Sequence, residues 1–404
     1  MEPIYLDNQS NTKLDERVFE IMKPFFIENY GNPQSIYSLG SISKDALETA
    51  RLQVAGLINA EAQEIIFTSC GTESNNFAIK GLADVLRVKG KHIIVSAIEH
   101  FSVLNSVKRL QKEGFEVTYL SVDNNGIIKA EELKKLMRKD TILVSLQYAN
   151  PEVGTIQDIK KLASIVKNNN LNDFVLFHTD AVCACGSIPI DVKDLSIDAL
   201  TIASSVIYGP KGIAALYLKK GVRITPQIEG GAQENYKRSG TENLPAIVGF
   251  GKACELAKYE ILENREKIKK IRDKFISELP KRIDYIYLNG TVGEKRLPCN
   301  INFSVEFVEG ESLFLLLDAK GIMASSGSAC ANKNLKLSHV LSAMSVDIAV
   351  GQGSILFTLS KFNTEKEIDY VLEEFPKIIK RLRNISPLYA HFIKTGKRLV
   401  TDSV

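Results

Sequence analysis

From about residue 42 to residue 220 the chain alternates between short apolar runs and amphipathic stretches, and this alternation constrains the fold more than any other feature. Residues 43–59 place Leu47, Ala50, Val54, Leu57 and Ile58 on one face at helical spacing. The run Glu64-Ile65-Ile66-Phe67-Thr68, closed by Ser69-Cys70-Gly71, reads as a buried strand and its turn. A helix follows from Thr72 with Phe77, Leu82, Val85 and Leu86 inward, then a strand at His92-Ile93-Ile94-Val95-Ser96 and a helix from Val103 to Leu110. The alternation recurs at 117–121, 130–138, 141–147, 157–168 and 174–178. Repeated units of this kind predict an α/β fold, a mostly parallel sheet covered by helices on both faces and joined by right-handed crossovers.

Around 246–282 the pattern becomes one long, charge-rich helical stretch, followed by separated strands (300–304, 355–359) and helices (311–319, 364–383). This predicts a large domain over 15–260 and a smaller α+β domain from 1–14 and 261–404, with a tail from Ser386 that frays or docks on a partner. The length of 404 residues suits that division. Against 51 Lys and Arg stand 48 Asp and Glu, so the net charge of +3 gives no mandate for nucleic acid. No run approaches the roughly 18 apolar residues of a membrane helix, and the start Met1-Glu2-Pro3-Ile4-Tyr5-Leu6-Asp7 lacks the features of a signal peptide. The six cysteines then read as reduced thiols of a cytoplasmic protein, with no paired CxxC motifs to suggest structural zinc.

Ligands of open parallel sheets bind beyond the carboxyl ends of the strands, so those turns are where chemistry is sought. Ser69-Cys70-Gly71-Thr72-Glu73 leads from a strand into a helix N-terminus, where free N–H groups and the Thr72 hydroxyl suit a phosphate or simply cap the helix. Asp180 ends a strand and either pairs with a protonated heterocyclic nitrogen or caps the next helix. His100, also past a strand end, stacks on a planar ligand, moves a proton or is structural.

Taken in order, Ile4-Tyr5-Leu6-Asp7, Thr68-Ser69-Cys70-Gly71-Thr72-Glu73-Ser74-Asn75-Asn76, Glu99-His100, His178-Thr179-Asp180-Ala181, Ile207-Tyr208-Gly209-Pro210-Lys211-Gly212, Arg238-Ser239-Gly240-Thr241 and Ser325-Ser326-Gly327-Ser328-Ala329-Cys330 form a specific series. Over nearly its whole length the chain resembles the cysteine desulfurases of the IscS/NifS type. The resemblance implies the fold-type-I architecture of pyridoxal-phosphate (PLP) enzymes and a homodimer with sites at the subunit interface. It also implies a reaction in which sulfur from free cysteine becomes a persulfide on an enzyme cysteine. It assigns Gly71, Thr72, Asp180 and Thr241 to cofactor binding, His100 to catalysis and Cys330 to carrying the sulfur.

The chain departs from that pattern where the chemistry is done. Val206 stands in place of the lysine that holds PLP as a Schiff base, and a valine forms no imine. Lys211 belongs to the following block, and five residues of extended chain separate it from Val206 by up to roughly 17 Å. Ala203 and Ser205 replace a Ser and a His of the phosphate site, and Pro151 and Cys183 replace an Asn and a Gln that address the ring. Leu356 replaces the Arg that clamps the substrate carboxylate, supplying neither its charge nor its bidentate geometry. PLP is therefore expected by resemblance, but not its covalent attachment.

Cys330 keeps the sulfur-carrying motif, with small, glycine-containing neighbours suited to a flexible approach; a buried small thiol is the alternative. Cys70 and Cys183 fall at the vacated cofactor pocket, where thiolates together with Cys330 suit a metal or an iron–sulfur cluster, or else fill buried turns with Cys185. Cys254 and Cys299 read as structural. The expected function is sulfur mobilisation or iron–sulfur cluster assembly through Cys330, with an iron–sulfur scaffold protein or another sulfur acceptor as partner. Two alternatives stay open: an enzyme that binds PLP without a covalent link, and a non-catalytic subunit that regulates or scaffolds an active desulfurase.

Overall fold

The computed structural model describes residues 3–326 and 337–398. Twelve strands lie among the described residues: β1 (Ile4–Tyr5), β2 (Ile65–Thr68), β3 (His92–Ser96), β4 (Glu116–Leu120), β5 (Thr141–Ser145), β6 (Leu176–Asp180), β7 (Ala199–Ala203), β8 (Ala214–Leu218), β9 (Ile286–Leu288), β10 (Asn300–Val305), β11 (Ile322–Met323) and β12 (Ser354–Thr358). Seven of them form one sheet in the order β2-β8-β7-β6-β5-β3-β4. The pairs β7–β6, β6–β5, β5–β3 and β3–β4 are parallel, and β8 runs antiparallel to both β7 and β2. Strands β2, β3, β5, β7 and β8 are buried along their full length, as sheets covered on both faces require. The α/β expectation is met; the one antiparallel interior strand is not visible in hydropathy, because Ala214-Ala215-Leu216-Tyr217-Leu218 is equally apolar read in either direction.

The first long helix, Ser38–Leu57, buries Leu47, Ala50, Arg51, Val54 and Ala55 and begins five residues before the sequence pattern places it. It packs along the 35-residue helix Leu244–Glu278. Their close approach depends on Gly251, where an added Cβ would meet the Ala50 Cα at 2.6 Å and the Gln53 Oε1 at 2.5 Å. This long helix runs unbroken through residue 260 and leads to the antiparallel sheet β12-β10-β9. The N-terminus joins that side of the molecule, since β1 pairs in parallel with β11 and Asp7 bridges Thr358. Beyond Ser386 the chain forms the helix Pro387–Thr395, which docks on its own chain. Phe392 stacks on Phe307 at 4.9 Å and meets Tyr285 edge-on at 5.2 Å, while Arg383 donates to the carbonyls of Glu306 and Asp284. No helix of the described residues is long and apolar enough to cross a membrane.

One charged pair organises the loop ahead of Arg238. Glu234, Asn235 and Tyr236 all have left-handed backbones (φ 48°, 55° and 62°), a run that non-glycine residues adopt only under external restraint. The restraint is Arg51, buried against the Phe67 ring, whose Nη1 and Nη2 donate to Glu234 at 2.7 and 2.8 Å; the Phe67 amide adds a third bond at 2.9 Å. Replacing Glu234 by Ala leaves the buried guanidinium only the Ile65 carbonyl at 2.9 Å and the exposed Glu48 at 3.3 Å, so Glu234→Ala is expected to lose about 3 kcal/mol in urea unfolding. A loss below about 1 kcal/mol would show that water replaces the carboxylate.

Candidate functional site at the carboxyl edge of the large sheet

The parallel strands deliver their following turns to one edge, and there four of the expected site residues converge. Asp180 is the last residue of β6 and is buried. Its Oδ1 accepts from the Val182 amide at 3.0 Å and its Oδ2 from Asn75 Nδ2 at 2.7 Å. Asn75 lies on the helix Gly71–Leu86, and the same amide group donates to Ser102 Oγ at 2.8 Å. Ser102 in turn lies 2.7 Å from His100 Nδ1, and its own amide donates to that nitrogen at 3.1 Å. Since Ser102 Oγ accepts from Asn75, its proton points to His100, and the neutral imidazole carries its hydrogen on Nε2. Thus β6, the helix Gly71–Leu86 and the helix Phe101–Lys112 are joined by one hydrogen-bond chain, Asp180–Asn75–Ser102–His100. Sequence reading quoted Asn75 within a block but gave it no role, and did not see Ser102. Its position two residues after a helix-capping His is the local signal for it.

Gly71 and Thr72 open the helix Gly71–Leu86, as expected, with Cys70 as its N-cap. Cys70 is exposed, and its Sγ accepts from the Glu73 amide at 3.4 Å. Glu73 is committed to this chain: it accepts from the Ser69 amide at 2.8 Å and from Arg238 Nε at 2.8 Å. Thr241 is exposed, and it shares an open cleft with Ser69 and Arg238. Cys183 sits in the turns after β6, half-buried, with its thiol pushed well up by burial and by Asp180. Burial likewise raises Cys185 to about 12 and Cys299 to about 11. Among the described residues no group of three or more His, Cys, Asp or Glu is placed to hold a metal ion; a set joining Cys70 and Cys183 to Cys330 lies partly outside those residues. Cys330 lies outside the described residues.

A second polar layer lies behind His100. Glu99 is fully buried; its Oε1 accepts from Ser96 Oγ at 2.6 Å and from the Gln147 amide at 2.9 Å. Its Oε2 and the Gln147 Oε1 are buried acceptors without partners. Burial first, with the Asp180 charge adding to it, pushes the Glu99 carboxyl up to about 8. His178, buried in β6 between Ser145 and Thr201, is pushed down to about 3 by burial and stays neutral.

The residues can be tested against a lysine-bound PLP. Val206 ends the short turn Ser204–Val206 and packs half-buried on the hydrophobic core. That turn is pinned from the N-terminus, where the Thr12 amide and hydroxyl both donate to the Ser205 carbonyl at 2.9 and 3.0 Å. Lys211 is exposed. Asn150 is used up locally: its Oδ1 accepts from the Glu152 and Val153 amides, both at 2.9 Å, and its Nδ2 donates to the Ile98 carbonyl at 3.1 Å. Pro151 beside it offers no donor. Leu356 is buried and pairs its backbone with Ser325. Asp180 is present to meet a pyridine nitrogen, but among the described residues the turn that ends in Val206 offers no amine to the aldehyde. The site does not fit the cofactor in its covalent form.

A family model described as aminotransferase class-V matches residues 4–371. The chain belongs to that family. It is 50% identical over 384 residues to "Cysteine desulfurase IscS" of Dictyoglomus turgidum, covering 95% of this chain and 96% of the relative. It is also 50% identical over 385 residues to the protein of the same name from Methanosarcina thermophila, covering 95% and 94%. Among solved structures, a "NifS-like protein" superposes with a TM-score of 0.88 at 39% identity, covering 94% of this chain and all of the other. A NifS-like protein from Rickettsia africae gives 0.84 at 34% identity, covering 94% and 100%. The architecture is that of fold-type-I PLP enzymes, and the resemblance to the IscS/NifS desulfurases holds.

The folded-state value of Glu99 lies above its ordinary 4.5, so the stabilisation tied to its neutral form is complete below pH 4.5 and declines as pH rises toward about 8. Glu99→Gln, which copies the neutral acid, is therefore expected to gain on the wild type from pH 5 to pH 8, by up to roughly 1.4 kcal/mol per pH unit. Denaturant unfolding across that range measures it; a constant difference would mean that Glu99 is ionised throughout.

Proposed function

We propose that this chain handles sulfur that has already been released from its carbon, accepting it as a persulfide on Cys330 and passing it to an acceptor protein. The observation that carries this reading is the pairing of Val206, where an imine-forming lysine is needed, with an intact Ser325-Ser326-Gly327-Ser328-Ala329-Cys330 motif. Without the amine and without a cation at Leu356, the chain has no means of activating the Cα of free cysteine or of clamping its carboxylate. Transfer between thiols needs neither. The Cys330 thiolate attacks the terminal sulfur of a donor persulfide, the donor S–S bond breaks, and the donor leaves as a thiolate, with no net oxidation or reduction.

This reading places the protein in sulfur mobilisation or iron–sulfur cluster assembly, as its relatives' names suggest. We take it to be a cytoplasmic homodimer with a sulfur-accepting partner such as an iron–sulfur scaffold protein. Its proposed domains span 15–260, and 1–14 with 261–404. His100, whose Nδ1 is engaged by Ser102, is taken as the catalytic histidine, free to offer Nε2 to the transferring sulfur as a hydrogen-bond donor. Gly71, Thr72, Asp180 and Thr241 are the positions kept for a cofactor.

Incubation with a low-molecular-weight persulfide is expected to add one sulfur atom to the peptide containing Cys330, and Cys330→Ser is expected to abolish that addition. Cys183, Cys185, Cys254 and Cys299 are held as thiols by burial, so Cys330 should also be alkylated well ahead of them. Cys70 is exposed and is best removed as Cys70→Ser. Sulfur spread evenly over the cysteines would sink the assignment.

A second expectation concerns lysine itself. Val206→Lys supplied with PLP is expected to release sulfide from cysteine at least one to two decades more slowly than an intact desulfurase. One lost charge-assisted bond at Leu356 already accounts for roughly 1.5–3 kcal/mol. Turnover matching an intact enzyme would show that the other replacements are tolerated.

A further inference from the structure

The residues Ser338 and His339 begin the short helix His339–Ala343 and lean on the turns that follow β3 and β5. Ser338 Oγ donates to Glu152 Oε2 at 2.6 Å and accepts from the Val340 amide at 3.1 Å. His339 Nε2 bonds the Glu99 carbonyl at 3.0 Å, and its ring lies 4.7 Å from that of Phe101. These contacts add one carboxyl group and one carbonyl to the apolar burial of Val340, Leu341 and Met344 in joining this distant segment to the rest of the fold.

Glu152 is buried, and among the described residues its Oε1 has no hydrogen-bond partner. Asn300 and Asn302 donate to its backbone carbonyl at 3.1 and 3.0 Å, leaving its carboxyl to Ser338. Arg296 spends its Nη1 on Asn300, whose Oδ1 it binds at 2.7 Å. The other titratable groups of this corner are Glu99, His100, His339 and Asp180, with Lys108 acting on His339. Among the described residues, none of these forms an ion pair with Glu152.

We propose that Glu152 is a proton-operated latch: as a neutral acid it holds Ser338 and His339 against the large sheet, and on ionisation it lets them go. Two effects oppose each other when the proton leaves. The Ser338 hydrogen bond becomes charge-assisted and strengthens, while the carboxylate, with Oε1 sealed from water, loses the hydration its charge requires. Burial is the larger effect and lifts Glu152 to about 7, so ionisation favours water entry and separation of the contact. If the opened carboxyl returns to its ordinary 4.5, the opening equilibrium rises about tenfold between pH 6 and pH 8.5.

Amide hydrogen exchange of the full chain, corrected for base catalysis, reads this at residues 340–344. The wild type is expected to lose about tenfold in protection between pH 6 and pH 8.5, and Glu152→Gln to lose none. Unchanged protection in the wild type, or the same loss in Glu152→Gln, would overturn the latch. A measurement that leaves residue 152 intact guards against a variant that fails to fold. In the Glu99→Gln background, the infrared carbonyl band of a protonated carboxylic acid should be present at pH 6 and gone by pH 8.5. Its absence at pH 6, or its persistence at pH 8.5, would equally refute the proposal.

Discussion

Asp180 carries a buried carboxylate that, among the described residues, no lysine or arginine pairs with, and the edge of the large sheet is arranged around satisfying it. One oxygen takes the Val182 amide and so sets the turn after β6; the other takes Asn75. Because Asn75 has two N–H donors on one nitrogen, the bond to Asp180 orients the bond to Ser102, and Ser102 fixes the tautomer of His100. Behind it, burial raises the Glu99 carboxyl and the Asp180 charge adds a smaller push in the same direction. One carboxylate thus sets the geometry of its neighbours through a chain of hydrogen bonds.

The large sheet was legible because its strands are buried on both faces and therefore appear as unbroken β-branched runs such as Ile93-Ile94-Val95. Strand order and the reversal of β8 were not legible, since they depend on which runs meet in space and not on their hydropathy. The site divides along the same line. Asp180, His100, Gly71 and Thr72 follow strand ends or open helices, so local pattern located them. Asn75 and the Ser338–Glu152 contact act through partners from 27 to 186 residues away, and nothing in the local sequence announces them; Ser102 has only its place after His100 to mark it. The tail is short and partly polar, which suggests fraying or a partner; its docking on its own chain depends on Tyr285 and Phe307, two aromatics held at left-handed φ on either side of the β9–β10 pair.

The thiols illustrate a further limit of reading composition as chemistry. Three cysteines near one pocket suggest a soft metal site, yet the Cys70 sulfur is engaged in capping a helix and Cys183 and Cys185 lie in the buried turns after β6. Thiolate ligation needs convergence and deprotonation together. Burial opposes the second at Cys183 and Cys185.

Which residues of the family pattern are kept, and which are lost, can be weighed by what each does for the fold. Asp180 and His100 are structural members of a buried network, so their presence says little about whether a ligand binds. The lysine, arginine and second asparagine replaced by Val206, Leu356 and Pro151 would have had their work outside the chain, and here Val206 and Leu356 add apolar contacts to the core. Thr72 and Thr241 are the informative exceptions: neither hydroxyl makes a hydrogen bond within the described residues, and Thr241 is exposed. A hydroxyl that contributes nothing to its own fold is free to be lost without cost to stability. On the proposed function, these two hydroxyls are the groups of this edge left over to meet something from outside the chain.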